Sequence, residues 1–294
     1  MNARLKKLNQ RHAYTIIELL TVMSIIVILI GLLVPAMNKV RIYASKVQQK
    51  AQFHSIEVAM ELFEAEHEGK PNSDAQDIDS ANYCGAMKLC EAMMGQDLLG
   101  FHPESVFRES GLNINGDDLY PPAGTITPAE RRMNLKARKG PYLPLDNANA
   151  YPIQDLYSNY ATYYDVNDFV LCDVYKRVTN RRTGKKVGMP ILYYKADTTK
   201  DGHDVSVGGY LSTDNIYSYL DNDQLVLLGM PWASTLVHPM ASTGFPGPDI
   251  FYEKTWNRKV TTMNRPYKAD SYILLSAGYD GEYGTADDIF NFGN

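Results

Sequence analysis

The sequence predicts an α+β protein in which a long amino-terminal membrane-spanning helix packs on an antiparallel β-sheet head carrying an extra helix and long loops. Three observations lead there. Residues 19–37 contain no charged side chain; apolar residues then recur mostly every three or four positions as far as Phe63. From about Ser158 the apolar period falls to two, in segments rich in Tyr, Val and Ile.

The chain has 294 residues, 45% hydrophobic and 21% charged, which excludes wholesale disorder, a collagen-like fibre and a polytopic membrane protein. Its formal net charge is −5, yet residues 1–13 carry Arg4, Lys6, Lys7 and Arg11 and no acid. The remainder is therefore the more acidic part. Such a body argues against a nucleic-acid partner, because those proteins neutralise phosphate over a broad basic surface. Cys84, Cys90 and Cys172 are too few for a disulfide scaffold and lack the paired spacing of a zinc site.

The first element is the run LLTVMSIIVILIGLLVPAM at 19–37. As a helix it is roughly 28 Å long, about one bilayer core. A cleaved signal peptide usually has a shorter apolar core, about 7–15 residues, ending in a small-x-small cleavage site. Glu18 stands at the mouth of the run, and a carboxylate in lipid costs about 2.5–3.5 kcal/mol at mid-helix, less toward an interface. Such an acid needs a partner.

Around it the chain reads RHA-YTIIELL, and here it resembles the type IV pilin and type II secretion pseudopilin family. That family's processing motif is a basic leader, a small residue, an aromatic, then Thr-x-x-Glu. Ala13 matches the last leader residue and Tyr14 the new amino terminus, although the family prefers Gly and Phe there. Glu18 and Pro35 fall where the family has its assembly glutamate and its helix-kinking proline. The resemblance implies cleavage between Ala13 and Tyr14 by a prepilin peptidase, usually with methylation of the new amine. It implies that Glu18 then meets the amino terminus of an adjacent subunit as a filament grows from an inner-membrane assembly platform. It also implies a single-pass protein of the bacterial inner membrane, amino terminus cytoplasmic and head periplasmic, as the positive-inside rule would have it.

Beyond the span, Val40, Tyr43, Val47, Phe53, Ile56, Met60 and Phe63 make one apolar stripe on a polar helix, and Gly69 with Pro71 supplies a stop. The expected organisation is a leader at 1–13, a helix at 14–68 (membrane part 14–37, stalk 38–68) and a head at 69–294. A coiled-coil stalk is the competing reading, but the seam is short and its flanking charges are unordered.

In the head, Asp79 and Ser80 are candidate caps for a helix whose apolar side comprises Met87, Leu89, Cys90, Met93, Met94 and Leu98. Six positions on one helix separate Cys84 and Cys90 by about 9 Å, so a disulfide would join Cys172 to one of them. Pro121, Pro122, Pro128, Pro141, Pro144 and Pro152 punctuate a long irregular stretch. The strand candidates are YATYYDV, DFVLCDVYKRVT, KVGMPILYYKA and SYILLSA, with TNRRTGKK as a hairpin tip turning at Gly184. Arg181, Arg182, Lys185 and Lys186 on that tip read either as a phosphate-binding patch or as a solvated turn. Twenty-one tyrosines read as a stacking surface for carbohydrate or, better, as packed strand residues that carry a polar tip.

The last element, residues 275–289, is a glycine-punctuated loop bearing Asp280, Glu282, Asp287 and Asp288. By composition it is either an acidic surface turn or a site for a hard cation, and it is not an EF-hand. Its Ser-x-Gly-x-Asp-Gly segment and later acidic pair are similar to the calcium loop of major pseudopilins of that family. The resemblance implies calcium held by Ser276, Asp280, Asp287 and Asp288, with help from the backbone oxygens of Leu275 and Ser276. It extends over residues 11–68 and 274–289 and leaves 69–273 without a counterpart.

The leading functional class is thus a structural, non-enzymatic subunit polymerising with its own kind or related pseudopilins. The alternative is a minor type IV pilin with an adhesive or DNA-binding head. A tethered enzyme fits less well. His12, His54, His67, His102, His203 and His238 are scattered, and no Ser or Cys has a nucleophile's context.

Overall fold

The computed structural model describes residues 15–122, 124–165 and 168–293. It divides into two compact units, Met1–Ala44 and Ser45–Asn294. Ala13 and Tyr14, with the basic leader, lie outside the described residues.

One helix, α1 (Ile16–Glu66), crosses the boundary between the units; it ends two residues short of the predicted end at 68, and Gly69 follows with φ +95°. By length and composition it could cross a membrane. Within the first unit every α1 side chain from 16 to 44 is exposed. Pro35 sits inside the helix, where its ring removes the donor that would bond the carbonyl four residues back, that of Gly31.

In the second unit the elements follow in order: α2 (Gly85–Met94), α3 (Pro128–Ala137), α4 (Leu145–Ala148), β1 (Ala150–Pro152), α5 (Ile153–Leu156), β2 (Phe169–Leu171), β3 (Val178–Thr179), β4 (Lys186–Val187), β5 (Leu192–Lys195), α6 (Asp223–Leu227), α7 (Asp249–Thr255), β6 (Tyr272–Ser276) and β7 (Ile289–Phe290). The strands form three small antiparallel sheets, β1-β2, β3-β4 and β5-β6-β7. The α+β expectation with one long helix is therefore met in outline.

The three-stranded sheet is buried on both faces. Leu192 and Tyr194 of β5, with Ile273 and Leu275 of β6, enter one core. Tyr193, Tyr272 and Leu274 enter the other, which also receives Phe53, Ile56, Ala59, Met60 and Phe63 from α1 and Leu89, Cys90, Met93 and Met94 from α2. The period of two thus divides these side chains between two cores and leaves no wet face.

All ten residues of α2 are buried, its two charges included. The Lys88 ammonium donates to the carbonyls of Asp74 (2.8 Å) and Gln76 (2.9 Å). Glu91 accepts from the hydroxyls of Tyr83, Ser105 and Tyr120 and from the Gln96 amide. Charges that are saturated in this way can be buried. A Cβ on Gly85 would stand 2.3 Å from the Tyr193 carbonyl oxygen, so this glycine lets α2 lie against β5.

Several expectations are corrected. The α1 stripe buries only from Gln49 onward; Val40, Tyr43 and Val47 are 52–70% exposed, and the buried set adds Gln49 and Gln52, whose amides bond Val174 N–H and the Cys172 carbonyl. Asp79 and Ser80 do not cap α2; its N-cap position is Cys84, without a side-chain bond, and Ser80 takes φ +65° in the preceding turn. The segment YATYYDV holds a 3₁₀ turn, Tyr160–Thr162, in place of a strand. All three cysteines are free and buried, and burial raises the Cys84 thiol to about 11. The hairpin tip forms as expected, Val178 pairing with Val187 and Gly184 turning at φ +69°. Seven tyrosines, Tyr157, Tyr193, Tyr194, Tyr217, Tyr219, Tyr252 and Tyr283, are fully buried, which favours packing as the explanation of the tyrosine content.

Candidate functional sites at the two ends of the chain

At the start of α1, Thr15 and Glu18 form a reciprocal cap. Glu18 Oε2 accepts from the Thr15 backbone N–H and hydroxyl, both at 2.8 Å, and Thr15 Oγ1 accepts from Glu18 N–H at 3.2 Å. This is the capping box, and it satisfies two of the helix's orphan donors. The Thr-x-x-Glu spacing of the processing motif is also that of a capping box. Glu18 therefore has a partner inside its own chain before any other arrives.

At the other end, β6 and β7 are joined by residues 277–288, and the register sets Ser276 opposite Ile289. That register brings Asp287 back beside the loop's first turn. Gly278, at φ +69°, is needed because a Cβ there would lie 2.0 Å from the Asp287 carbonyl oxygen. Asp287 Oδ2 accepts from Asp280 N–H at 2.9 Å and its Oδ1 from the Thr285 hydroxyl at 2.9 Å. Asp280 Oδ1 accepts from Glu282 N–H, and Asp288 Oδ2 from Gly284 N–H, again at 2.9 Å.

Of the four predicted ligands, Asp280, Asp287 and Asp288 share this loop, while Ser276 points elsewhere. Its hydroxyl donates to Asp173 Oδ2 at 2.8 Å, in the core. Burial pushes Asp173 up to about 7 against three hydrogen bonds, from Ser276, Tyr175 N–H and Met189 N–H, that act the other way. Burial likewise pushes Asp288 up to about 7 and Asp280 up to about 6, the latter with the Asp287 carboxylate adding to the rise.

The loop holds residues that sequence reasoning missed. Lys254 of α7 lies 2.9 Å from Asp288 Oδ2, and His238 accepts the Tyr283 N–H at Nδ1. Both come from elsewhere in the chain, and no local pattern announces them. Arg177 donates to the Asp280 carbonyl at 3.1 Å and lies over the Trp232 ring, 5.4 Å from its centroid.

Whether a hard cation fits depends on donor chemistry. Carboxylates predominate, and Asp288 Oδ1 is buried without a hydrogen-bond partner among the described residues. An orphaned anionic oxygen in a turn rich in carbonyls suits calcium in kind. Among the described residues no three His, Cys, Asp or Glu side chains converge as a metal cluster, so backbone oxygens would have to complete the shell.

On the hairpin tip, Arg181 donates to the carbonyls of Gln154 and Tyr157, and Arg182 pairs with Asp155 at 3.0 Å. Half of the predicted basic patch is thus engaged by its own chain. Comparison of this chain with protein-family models, curated proteins and solved structures finds no match.

Proposed function

We propose that the chain is a pseudopilin-like structural subunit of a type II secretion, type IV pilus-like filament, without enzymatic activity. A prepilin peptidase cleaves it between Ala13 and Tyr14, and it assembles with other pseudopilin subunits from a platform in the bacterial inner membrane. The amino terminus is cytoplasmic and the head periplasmic. The observation that carries this reading is the exposed apolar half of α1, which opens on the Thr15–Glu18 cap and contains Pro35.

The chemistry supports it. An all-round apolar helix of this length can be covered by lipid before assembly and by other copies of itself afterwards. Glu18, set at the mouth, offers charge to a newly cut Tyr14 amine, and in low dielectric such a pair rewards one axial register over others. In the head, Asp280, Asp287 and Asp288 would hold calcium with the carbonyls of Leu275 and Ser276, and the bound ion would neutralise clustered acids.

The alternative of a minor pilin binding DNA has less support, since Arg181 and Arg182 are tied to the body. The test is in two parts. Mass spectrometry of the chain co-expressed with a prepilin peptidase should show loss of residues 1–13 and a methylated Tyr14. Glu18→Gln keeps the cap but not the charge, whereas Glu18→Ala loses both. Filament assembly should fail in both variants. Normal assembly of Glu18→Gln would overturn the charge-pairing role and leave Glu18 a cap alone.

A further inference from the structure

Lys254 stands in the last turn of α7 and reaches 34 residues along the chain to the β6–β7 loop. Its ammonium donates to Asp288 Oδ2 at 2.9 Å and also to the Thr285 carbonyl. The Asp288 side chain is 1% exposed and that of Lys254 21% exposed. The two oxygens that the ammonium bridges, with the orphaned Asp288 Oδ1 beside them, are hard oxygen donors gathered at one point. That is the environment a small cation seeks. A lysine ammonium is itself a compact cation with three donors, carried on a flexible stem.

We propose that Lys254 is a tethered cation filling the cation position of the 277–288 loop, so that the loop closes without metal and a divalent ion binds only by displacing the ammonium. The inference rests on the proposed function's reading of this loop as a calcium site, and adds that the chain carries its own competitor. Asp288 is the shared ligand. Displacement has a route, because the partly exposed stem can swing the ammonium into water while the buried carboxylate stays in place. A metal arriving there also relieves Asp288 Oδ1 of its isolation, which the single ammonium does not.

Two native reporters flank the site. Trp256 follows α7 by one residue, and the Trp232 ring lies against Gly281, 2.7 Å from where a Cβ would stand. The experiment is thermal unfolding and calcium titration of the full chain in detergent, followed by tryptophan fluorescence, for the wild type, Lys254→Met and Lys254→Arg. In EDTA, Lys254→Met should melt several degrees lower, while Lys254→Arg, which keeps the charge, should stay near the wild type. Added calcium should restore Lys254→Met and bind it at least tenfold more tightly than the wild type. If Lys254→Met does not fold in EDTA, recovery on refolding in calcium serves as the same readout. Measurable calcium binding of equal affinity in the wild type and Lys254→Met, or an unchanged melting point in EDTA, would overturn the proposal. A lower melting point that no calcium concentration corrects in any variant leaves the ammonium clasp standing and removes calcium from the proposed function.

Discussion

His238 shows how one side chain can make the head sensitive to acid. It is fully buried, its Nε2 faces the Gly229 carbonyl at 3.1 Å and its Nδ1 accepts the Tyr283 N–H at 3.2 Å. That pairing fixes the proton on Nε2, and a second proton on Nδ1 would oppose an N–H already pointing at it. Burial accordingly lowers its pKa to about 4, whereas in the unfolded chain it is about 6.5. The fold thus binds this proton less well than the unfolded chain does. The neutral imidazole's contribution is present above about pH 6.5 and is lost as pH falls toward 4, by on the order of 3 kcal/mol. Asp173, raised to about 7, works in the opposite sense, gaining stability as pH falls from 7. The clean measurement is therefore a difference. Denaturant unfolding at pH 7.5 and 4.5 should show less acid destabilisation in His238→Gln than in the wild type, and equal slopes would refute the assignment.

At the scale of elements, α2 is the most consequential helix in the head, and its burial on all sides explains what the sequence hid. Met87, Leu89, Cys90, Met93 and Met94 were legible as one apolar side, but nothing in the sequence marks Lys88 and Glu91 as buried too. Their partners, two carbonyls for the lysine and three hydroxyls with an amide for the glutamate, come from loops whose positions no periodicity encodes. The strands suffered similarly. DFVLCDVYKRVT and KVGMPILYYKA each hold two short strands and SYILLSA one, but with both faces of the main sheet buried, apolar content ran beyond the paired residues. Gly85→Ala should lower stability by about 1–3 kcal/mol, because its methyl meets backbone and not a movable side chain. Phe63→Ala, which empties a site between Phe101, His67 and Tyr142, should cost about 3–5 kcal/mol. Urea unfolding of the detergent-solubilised chain measures both. An effect within 0.5 kcal/mol at Gly85 would mean that α2 and β5 can move apart at little expense.

The whole molecule divides at Ala44 into a unit whose described helix is exposed throughout and a unit that holds both hydrophobic cores. The apolar segment was readable outright, since a run without charge from 19 to 37 admits few alternatives. The loop's acids were equally plain, but the lysine that answers them was not, because charge pairing across 34 residues leaves no local trace. Every buried residue of α1 lies at or beyond Gln49. A chain starting at Ser45 should therefore remain folded and monomeric without detergent, with near-ultraviolet circular dichroism matching that of the full chain. The full chain should aggregate once detergent is withdrawn. Loss of tertiary signal in the shortened chain would show that residues 16–44 support the head's fold.

The reciprocal cap at Thr15 and Glu18 has one last consequence for assembly as proposed. A subunit waiting in the bilayer already has Glu18 Oε2 hydrogen-bonded to its own Thr15, which leaves the charge of the carboxylate for an incoming amine. Docking then becomes a handover, in which an incoming amine takes over an oxygen that a hydroxyl and an amide had been keeping. Because the cap's hydrogen bonds are given up as the ion pair forms, the gain per subunit is the pair's charge attraction less those bonds, so Glu18→Gln would keep the cap and lose the gain.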